Sequence, residues 1–454
     1  MSRKDFATVV IGSGPAGYTV AVRCALAGMK TLLLEKSPED SGGTCLNRGC
    51  IPVKSMIESA ALYEKMRNAG YYGLECRSGS PSLADIIAAA RRNTRDLKKG
   101  LYNTFKKAGV ETAYAEASFR DEKSIMLGGS RRVSFENAVI ATGSAPAELE
   151  SMPVDGERVI SSDHLMNLEY LPRKILIVGG GYIGCEAASF FSAFGSEVTV
   201  VEAASRLLPG ADEDISRVIE KSFRRRGIAV LKDSEAEKIS SGISRAGVRI
   251  KSGGSSEERS FDRILVAAGR KPFYRGLAPE KAGVETAGSA VKTDLRMRTS
   301  SPGIYAAGDV RGEDMLAHAA FRQGETAAAG ITGNDMPEYK TELLPKVVFS
   351  FPQAAWAGVH PDEVKRLDGE AFTRKTFFRS NAKALIGGER EGFIKLVCRK
   401  KDRTVLSAAV VGPEACELIH IFLPALSGSL DLDGLLEQIY AHPTLSEAVS
   451  GIQP

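Results

Sequence analysis

The feature that most constrains this chain is an internal repeat. "TVVIGSGPAGYTVAVRCALAGMKTLLLEK" (residues 8–36) matches "ILIVGGGYIGCEAASFFSAFGSEVTVVEA" (175–203) at one constant offset. Gly12, Gly14, Gly17, Gly28 and Glu35 recur as Gly179, Gly181, Gly184, Gly195 and Glu202, each 167 positions later. Each copy reads as an apolar strand, a glycine turn, a small-residue helix and a second strand ending in Glu. In such a unit the first glycine makes the strand-to-helix turn. The second lets the backbone approach a pyrophosphate, and the third packs helix on sheet. The helix N-terminus receives the phosphate charge, and the Glu accepts ribose hydroxyls. Two glycine turns that bind nothing would not repeat all of these parts together. The expectation is two dinucleotide sites, with Tyr182 and Ile183 beside the second turn.

A chain of 454 residues exceeds one ordinary core, and roughly three domains are expected. A net charge of +4 is small for this length and gives no reason to expect nucleic acid or a membrane as partner. Seven scattered cysteines do not make a secreted disulfide framework. The first strand-like run starts at Phe6, so a signal or transit peptide is not expected within the chain. A reducing, cytoplasmic compartment follows as the expectation.

A second pair of signals brackets the second fingerprint. "AVIATGSAP" (138–146) and "ILVAAGRKP" (264–272) both run from an apolar strand into a glycine turn. The second dinucleotide unit therefore reads as an insertion into the first. Residues 1–146 and 268–335 form the discontinuous first domain, and 147–267 the inserted one. "GIYAAGDVRGEDMLAHAAFRQG" (303–324) predicts a strand, a Gly-Asp turn and a helix. Residues 336–454 turn to strand patterns ("KVVFSF", "GFIKLVCRK", "TVLSAAVVG") and a helical stretch, "CELIHIFLPALSGSL", which together predict an α+β domain.

Cys45 and Cys50 lie five apart in "GGTCLNRGCIPVKSM" (42–56). Zinc needs about four ligands, usually in close pairs, and the other five cysteines are scattered singly. A structural disulfide fits poorly with a reducing compartment, whereas a redox-active pair fits two dinucleotide sites. Five residues of regular helix rise about 7.5 Å, more than the roughly 4.4–6.8 Å Cα spacing of a disulfide. A bonded pair would therefore need a break in the helix, which Gly49 and Pro52 permit. Arg48 and Lys54 are expected to favour thiolates.

"GGTCLNRGCIPVKSM", the first fingerprint, "ATGS", the second fingerprint, "AAGDV", "MLAH" and "AHPTLSEAV" closely resemble, in this order, the two-cysteine FAD-dependent pyridine nucleotide-disulfide oxidoreductases. Within that family the chain is most similar to the dihydrolipoamide dehydrogenases. The resemblance implies two Rossmann-like domains, the NAD domain inserted in the FAD domain, and a C-terminal α+β dimerisation domain. FAD would lie on Gly12, Gly14, Gly17, Glu35, Lys36, Gly43, Thr44, Ala117, Thr142, Gly143, Asp309 and Ala317. NAD would lie on Gly179, Gly181, Tyr182, Ile183, Gly184, Glu202 and Gly269. Cys45 would exchange with the substrate dithiol and Cys50 would face the flavin. Lys54 would sit near the flavin N5 and pair with Glu186. His442, oriented by Glu447, would be the acid–base partner, acting in a homodimer on the other subunit's cysteines. A lipoyl domain of a 2-oxo-acid dehydrogenase or glycine-cleavage assembly would be the partner.

Some residues cut across this picture. Thr444-Leu-Ser-Glu447 also reads as a helix capping box, which would leave His442 merely preceding a turn. Tyr440 stands where the family commonly has a second His. Glu202 would repel the extra phosphate of NADP, although Arg206 lies nearby. Mercuric reductase would want a C-terminal cysteine pair, and none follows Cys416. A transhydrogenase would lack the Cys45–Cys50 pair. A reductase of another low-molecular-weight disulfide, using NADH or NADPH, is the nearest alternative. A non-enzymatic flavin-binding subunit would be expected to have lost Cys45, Cys50, His442 or Glu447.

Overall fold

In the computed structural model, residues 4–76, 79–241, 245–335, 338–367 and 369–452 are described. The chain forms two compact units, one from Met1–Ser55, Ala84–Ala147 and Gly269–Thr341, the other from Met56–Leu83, Glu148–Ala268 and Glu342–Pro454.

In the first unit, strand Phe6–Ile11 runs parallel between Thr31–Glu35 and Arg131–Ile140, with Val10 opposite Leu33 on one side and Val139 on the other. Glu111–Tyr114 extends the sheet beyond Thr31–Glu35, and Ile304–Ala306 pairs with the C-terminal end of Arg131–Ile140. Val9, Val10, Leu33 and Val139 are all buried. Such near-continuous apolar runs belong to parallel strands covered on both faces. Helix Pro15–Leu26 packs on helix Ala317–Thr332 at very short range: a Cβ on Gly324 would stand 2.7 Å from the Ala16 carbonyl oxygen. The predicted strand, Gly-Asp turn and helix of 303–324 are present as Ile304–Ala306, a single 3-10 turn at Asp309–Arg311 and Ala317–Thr332.

The second unit repeats the plan. Five parallel strands run in the order Ala229–Leu231, Glu197–Val201, Lys174–Val178, Arg263–Val266, Val159–Ser161. Its fingerprint helix, Tyr182–Ala193, matches Pro15–Leu26 end for end at the 167-residue offset. The steric devices match as well. A Cβ on Gly12 would lie 2.2 Å from Ala141 O, and one on Gly179 2.4 Å from Ala267 O. A Cβ on Gly17 would lie 1.8 Å from Gly12 O, and one on Gly184 1.9 Å from Gly179 O.

The same unit holds an antiparallel sheet ordered Lys346–Val348, Gln353–Gly358, Val405–Gly412, Phe393–Arg399, Ala371–Phe377. Three of these strands are the predicted ones. Gln353–Gly358 and Ala371–Phe377 were not anticipated from the sequence. The expected helix in "CELIHIFLPALSGSL" is broken into Ala415–Leu418, a 3-10 turn Ile419–Phe422, and Leu423–Leu426. Pro424 offers no N–H and its ring crowds the preceding turn, so one continuous helix cannot form there. Ile419, Phe422 and Ala425 still face the core. Among the described residues no helix is long and apolar enough to cross a membrane.

Two glycines of the second fingerprint, Gly181 and Gly184, differ in what they protect. Gly181 has φ −78° and nothing within 4 Å of where a Cβ would stand, whereas a Cβ on Gly184 would meet a carbonyl at 1.9 Å. Gly184→Ala is expected to lower the unfolding temperature of the apoprotein by roughly 5–10 °C, because about 3 kcal/mol of overpacking cannot be relieved. Gly181→Ala is expected to leave that temperature within about 2 °C while weakening dinucleotide binding. Thermal unfolding followed by circular dichroism checks both.

Candidate active site

The cysteine segment is built against the first fingerprint. Gly43 has φ +70° and lies so near that a Cβ on it would be 2.6 Å from Gly14 Cα. Cys45 sits in a five-residue helix, Gly43–Asn47, and Cys50 begins the long helix Cys50–Arg67. Between them Arg48 leaves helical geometry at φ −147°, ψ 5°, so the expected break is present. Gly49 fills it because a Cβ there would press on Thr44 O at 3.0 Å and Cys45 Cα at 3.4 Å. Asn47 holds the segment together, its Nδ2 donating to the carbonyls of Asp40, Ser41 and Gly43 at 2.9–3.1 Å.

Both cysteines are thiols here, half-buried and hydrogen-bonded to each other. The Cys45 thiol is pushed up, first by its hydrogen bond with Cys50, then by burial and by negative charge on Cys50; Lys54 partly offsets this. The pair therefore resists double ionisation. Arg48 Nη1 pairs with Asp40 Oδ1 at 2.7 Å, and Lys54 is a cation felt at Cys45. Burial raises Asp40, but its bonds from Arg48 and Ser37 outweigh that and hold it below the usual carboxylate range.

The first fingerprint carries the features a dinucleotide needs. Neither Gly14 at the head of Pro15–Leu26 nor Gly181 at the head of Tyr182–Ala193 supplies a side-chain cap, so the first-turn N–H groups remain for a pyrophosphate. Glu35 Oε2 accepts the Ser13 N–H at 3.0 Å and the Ser13 hydroxyl at 2.8 Å, while Oε1 accepts the Lys36 N–H. The Lys36 ammonium lies 3.7 Å from Asp40. Thr142 Oγ1 is buried without a hydrogen-bond partner, the kind of orphan a bound cofactor would satisfy. Beside it, Gly143 turns at φ +75°. Ala117 opens the strand Ala117–Asp121, opposite Leu127, and Ala317 heads its helix.

Asp309 belongs to a relay that sequence reading missed. Ser144 Oγ donates to Asp309 Oδ2 at 2.5 Å, and Arg270 Nε donates to Ser144 Oγ at 2.7 Å. Strands Ser144–Pro146 and Arg270–Pro272 pair antiparallel just after the Gly143 and Gly269 turns, which aligns these residues. Burial pushes the Asp309 carboxyl up, and Ser144 and then Arg270 offset it in part. "ATGS" and "AAGR" contain both residues, but nothing local in either string marks the pairing.

At the second fingerprint, Glu202 Oε2 accepts the Gly180 N–H at 2.6 Å and Oε1 the Ala204 N–H at 2.7 Å. Arg206 Nη2 donates to Pro209 O at 2.8 Å. Tyr182 heads the helix with its ring 5.6 Å from that of Trp356, and Glu186 is buried with Oε1 accepting the Phe349 N–H.

His442 and Glu447 meet directly: His442 Nδ1 lies 2.7 Å from Glu447 Oε2. The capping box is there too. Thr444 N–H donates to Glu447 Oε1 at 3.2 Å, and Glu447 N–H donates to Thr444 Oγ1 at 3.3 Å. The helix it starts, Ser446–Gly451, is 3-10 rather than α. One carboxylate thus serves both readings, one oxygen for each. Tyr440 donates its hydroxyl to Leu435 O at 3.1 Å and packs on the core, so it does not stand in for a second His.

Two dinucleotide folds, each with an uncapped fingerprint helix, and a vicinal thiol pair on the first define a flavin- and nicotinamide-linked disulfide oxidoreductase. The chain belongs to the pyridine nucleotide-disulphide oxidoreductase family: that family's model matches residues 6–324 and its dimerisation-domain model residues 344–451. The chain is 35% identical over 445 residues to dihydrolipoyl dehydrogenase of Bacillus subtilis, covering 97% of this chain and 96% of that one. It is 35% identical over 449 residues to dihydrolipoyl dehydrogenase of Pseudomonas aeruginosa, with 97% and 95% covered. Among solved structures it resembles LpdA of Mycobacterium tuberculosis (TM-score 0.90, 28% identity, 98% of each chain). It also resembles the HOCl-induced flavoprotein disulfide reductase RclA of Escherichia coli in its Cu(II) complex (TM-score 0.88, 26% identity, 100% and 99%). The family implies FAD and a nicotinamide dinucleotide, and the residues described above fit both.

The His442 hydrogen bond holds the Glu447 carboxyl below its ordinary value. A depressed carboxyl keeps its pairing above the ordinary glutamate range and loses it only as pH falls through the lowered value. The dyad is therefore expected to persist at pH 5. In His442→Ala, Glu447 should titrate closer to an ordinary glutamate, as read from its side-chain carboxyl signal by carbon NMR.

Proposed function

We propose that the protein oxidises protein-bound dihydrolipoamide, with NAD as the final acceptor. The observation that carries this reading is the Cys45–Cys50 thiol pair, seated on the first fingerprint loop and biased toward a single charge. Bound FAD supplies a two-electron carrier between the dithiol and the nicotinamide. Gly12, Gly14, Gly17, Glu35, Thr142 and Asp309 would hold it, and Gly179, Gly181, Gly184 and Glu202 would hold NAD.

The thiol chemistry is assigned to the chain's own residues. With Cys45 and Cys50 oxidised to a disulfide, a substrate thiolate attacks Cys45 Sγ, the S–S bond breaks, and Cys50 leaves as a thiolate. The second substrate thiolate then attacks the substrate sulfur of the mixed disulfide, closing the lipoamide ring and releasing Cys45. His442 takes up the substrate's thiol proton at Nε2, because Nδ1 is engaged by Glu447. In the homodimer this dyad would serve the cysteines of the other subunit. The partner would be a lipoyl domain, in a reducing, cytoplasmic compartment.

NAD over NADP is supported by Glu202. Its carboxylate is anchored by two backbone N–H groups, where it would repel a ribose phosphate, and the nearby Arg206 is engaged with Pro209 O. The second reading, a reductase of another disulfide, is favoured by the likeness to RclA.

The deciding measurement compares NAD reduction by dihydrolipoamide with reduction of glutathione disulfide driven by NADH or NADPH. Faster dihydrolipoamide oxidation with NAD is expected, and preference for glutathione disulfide with NADPH would sink the assignment. Cys45→Ser is expected to keep flavin and lose roughly 1,000-fold or more in kcat with dihydrolipoamide.

A further inference from the structure

Among the positions where the two copies of the repeat differ, one lies inside the glycine turn itself. Residue 13 is Ser in the first copy, and its counterpart in the second is Gly180. Both backbone N–H groups make the same contact, Ser13 to Glu35 Oε2 at 3.0 Å and Gly180 to Glu202 Oε2 at 2.6 Å. The ribose-binding carboxylate is therefore held without any side chain at this position.

The Ser13 hydroxyl adds something else. It donates to Glu35 Oε2 at 2.8 Å and accepts the buried N–H of Gly42 at 3.2 Å. Gly42 immediately precedes the helix that carries Cys45. Its φ is +91°, and a Cβ there would stand 2.3 Å from Leu46 Cδ2, so the turn takes glycine, whose own backbone freedom leaves its direction to be fixed by its hydrogen bond. A buried N–H must find an acceptor, and here that acceptor is the hydroxyl. Ser13 is itself 2% exposed, which excludes water as a ready substitute. The copy with the hydroxyl is the copy that abuts the cysteine segment.

We infer that Ser13 is a positioning residue for the redox pair. Its hydroxyl bridges the ribose-binding Glu35 to Gly42 and so sets the angle at which Cys45 meets Cys50. The inference rests on reading these two cysteines as the redox pair. It makes the occupied state of the first dinucleotide site and the geometry of the thiols two ends of one hydrogen-bonded chain. Loss of the hydroxyl frees Gly42, loosens the Cys45–Cys50 contact, and returns Cys45 toward an ordinary thiol.

The test uses reduced, flavin-loaded enzyme, with iodoacetamide labelling of Cys45 followed across pH by peptide mass spectrometry. Exposed Cys76 is the internal control. In Ser13→Gly, which copies the second fingerprint, and in Ser13→Ala, Cys45 is expected to label roughly threefold or more faster at pH 7, with its pH midpoint moved down. Ser13→Thr, which keeps the hydroxyl, should restore the wild-type profile. Profiles of Ser13→Gly and wild type that superimpose at equal flavin content would overturn the inference. So would equal changes in the Gly and Thr variants, which would mean bulk rather than the hydroxyl matters. Failure of the underlying reading looks different: wild-type Cys45 would then label equally before and after reduction.

Discussion

The structure depends on a contact that only glycine allows. In each fingerprint the one glycine of the helix presses on the carbonyl of the first glycine of the turn, at a distance where any Cβ would overlap it. That contact draws the helix onto a central strand and leaves its first turn, uncapped by any side chain, at that strand's C-terminal end. Everything a dinucleotide needs follows from this approach: room for a pyrophosphate, a partial positive charge, and a carboxylate at the next strand's end. The first copy then adds a second use of the same closeness. Gly43 rests on Gly14, so the segment bearing both cysteines lies on the fingerprint loop itself.

What could be read from the sequence is what is imposed locally. The fingerprints were legible because their glycine spacing, and the contacts of Gly17 on Gly12 and Gly184 on Gly179, fall within six residues. The break between Cys45 and Cys50 was legible because helix rise and disulfide reach conflict over five. The Ser144–Arg270–Asp309 relay was not, since Ser144 lies 126 residues from Arg270 and 165 from Asp309. Only the pairing of the two short strands brings these residues together. Arg48 was legible as a cation, but its pairing with Asp40, eight residues upstream, was not. Strands Gln353–Gly358 and Ala371–Phe377 escaped for a different reason. The first is buried through Ala354–Ala357, where small residues blur alternation, and the second is largely half-exposed with cations among its apolar residues.

One device recurs at every carboxylate assigned a role beyond packing. Glu35 and Glu202 are each held by backbone N–H groups within their own fingerprint units, Asp309 by a hydroxyl, and Glu447 by the Thr444 N–H. A carboxylate has about four lone-pair sites, so one fixed donor orients it and still leaves acceptor capacity for a hydroxyl or an imidazole. Fixing the acceptor in advance lowers the ordering cost when a ligand arrives.

Glu447 shows why the structural and catalytic readings of such a residue are not rivals. A capping box needs one oxygen on one N–H, and orienting a base needs one oxygen on one ring nitrogen. The cap is what makes the second task possible. An exposed glutamate on a flexible turn would sample many rotamers and hold His442 in no particular direction. Bound through Oε1 to Thr444, it has its other oxygen aimed at Nδ1 before any substrate arrives. The stretch that reads as an ordinary helix start is therefore the part of the dyad that supplies its rigidity.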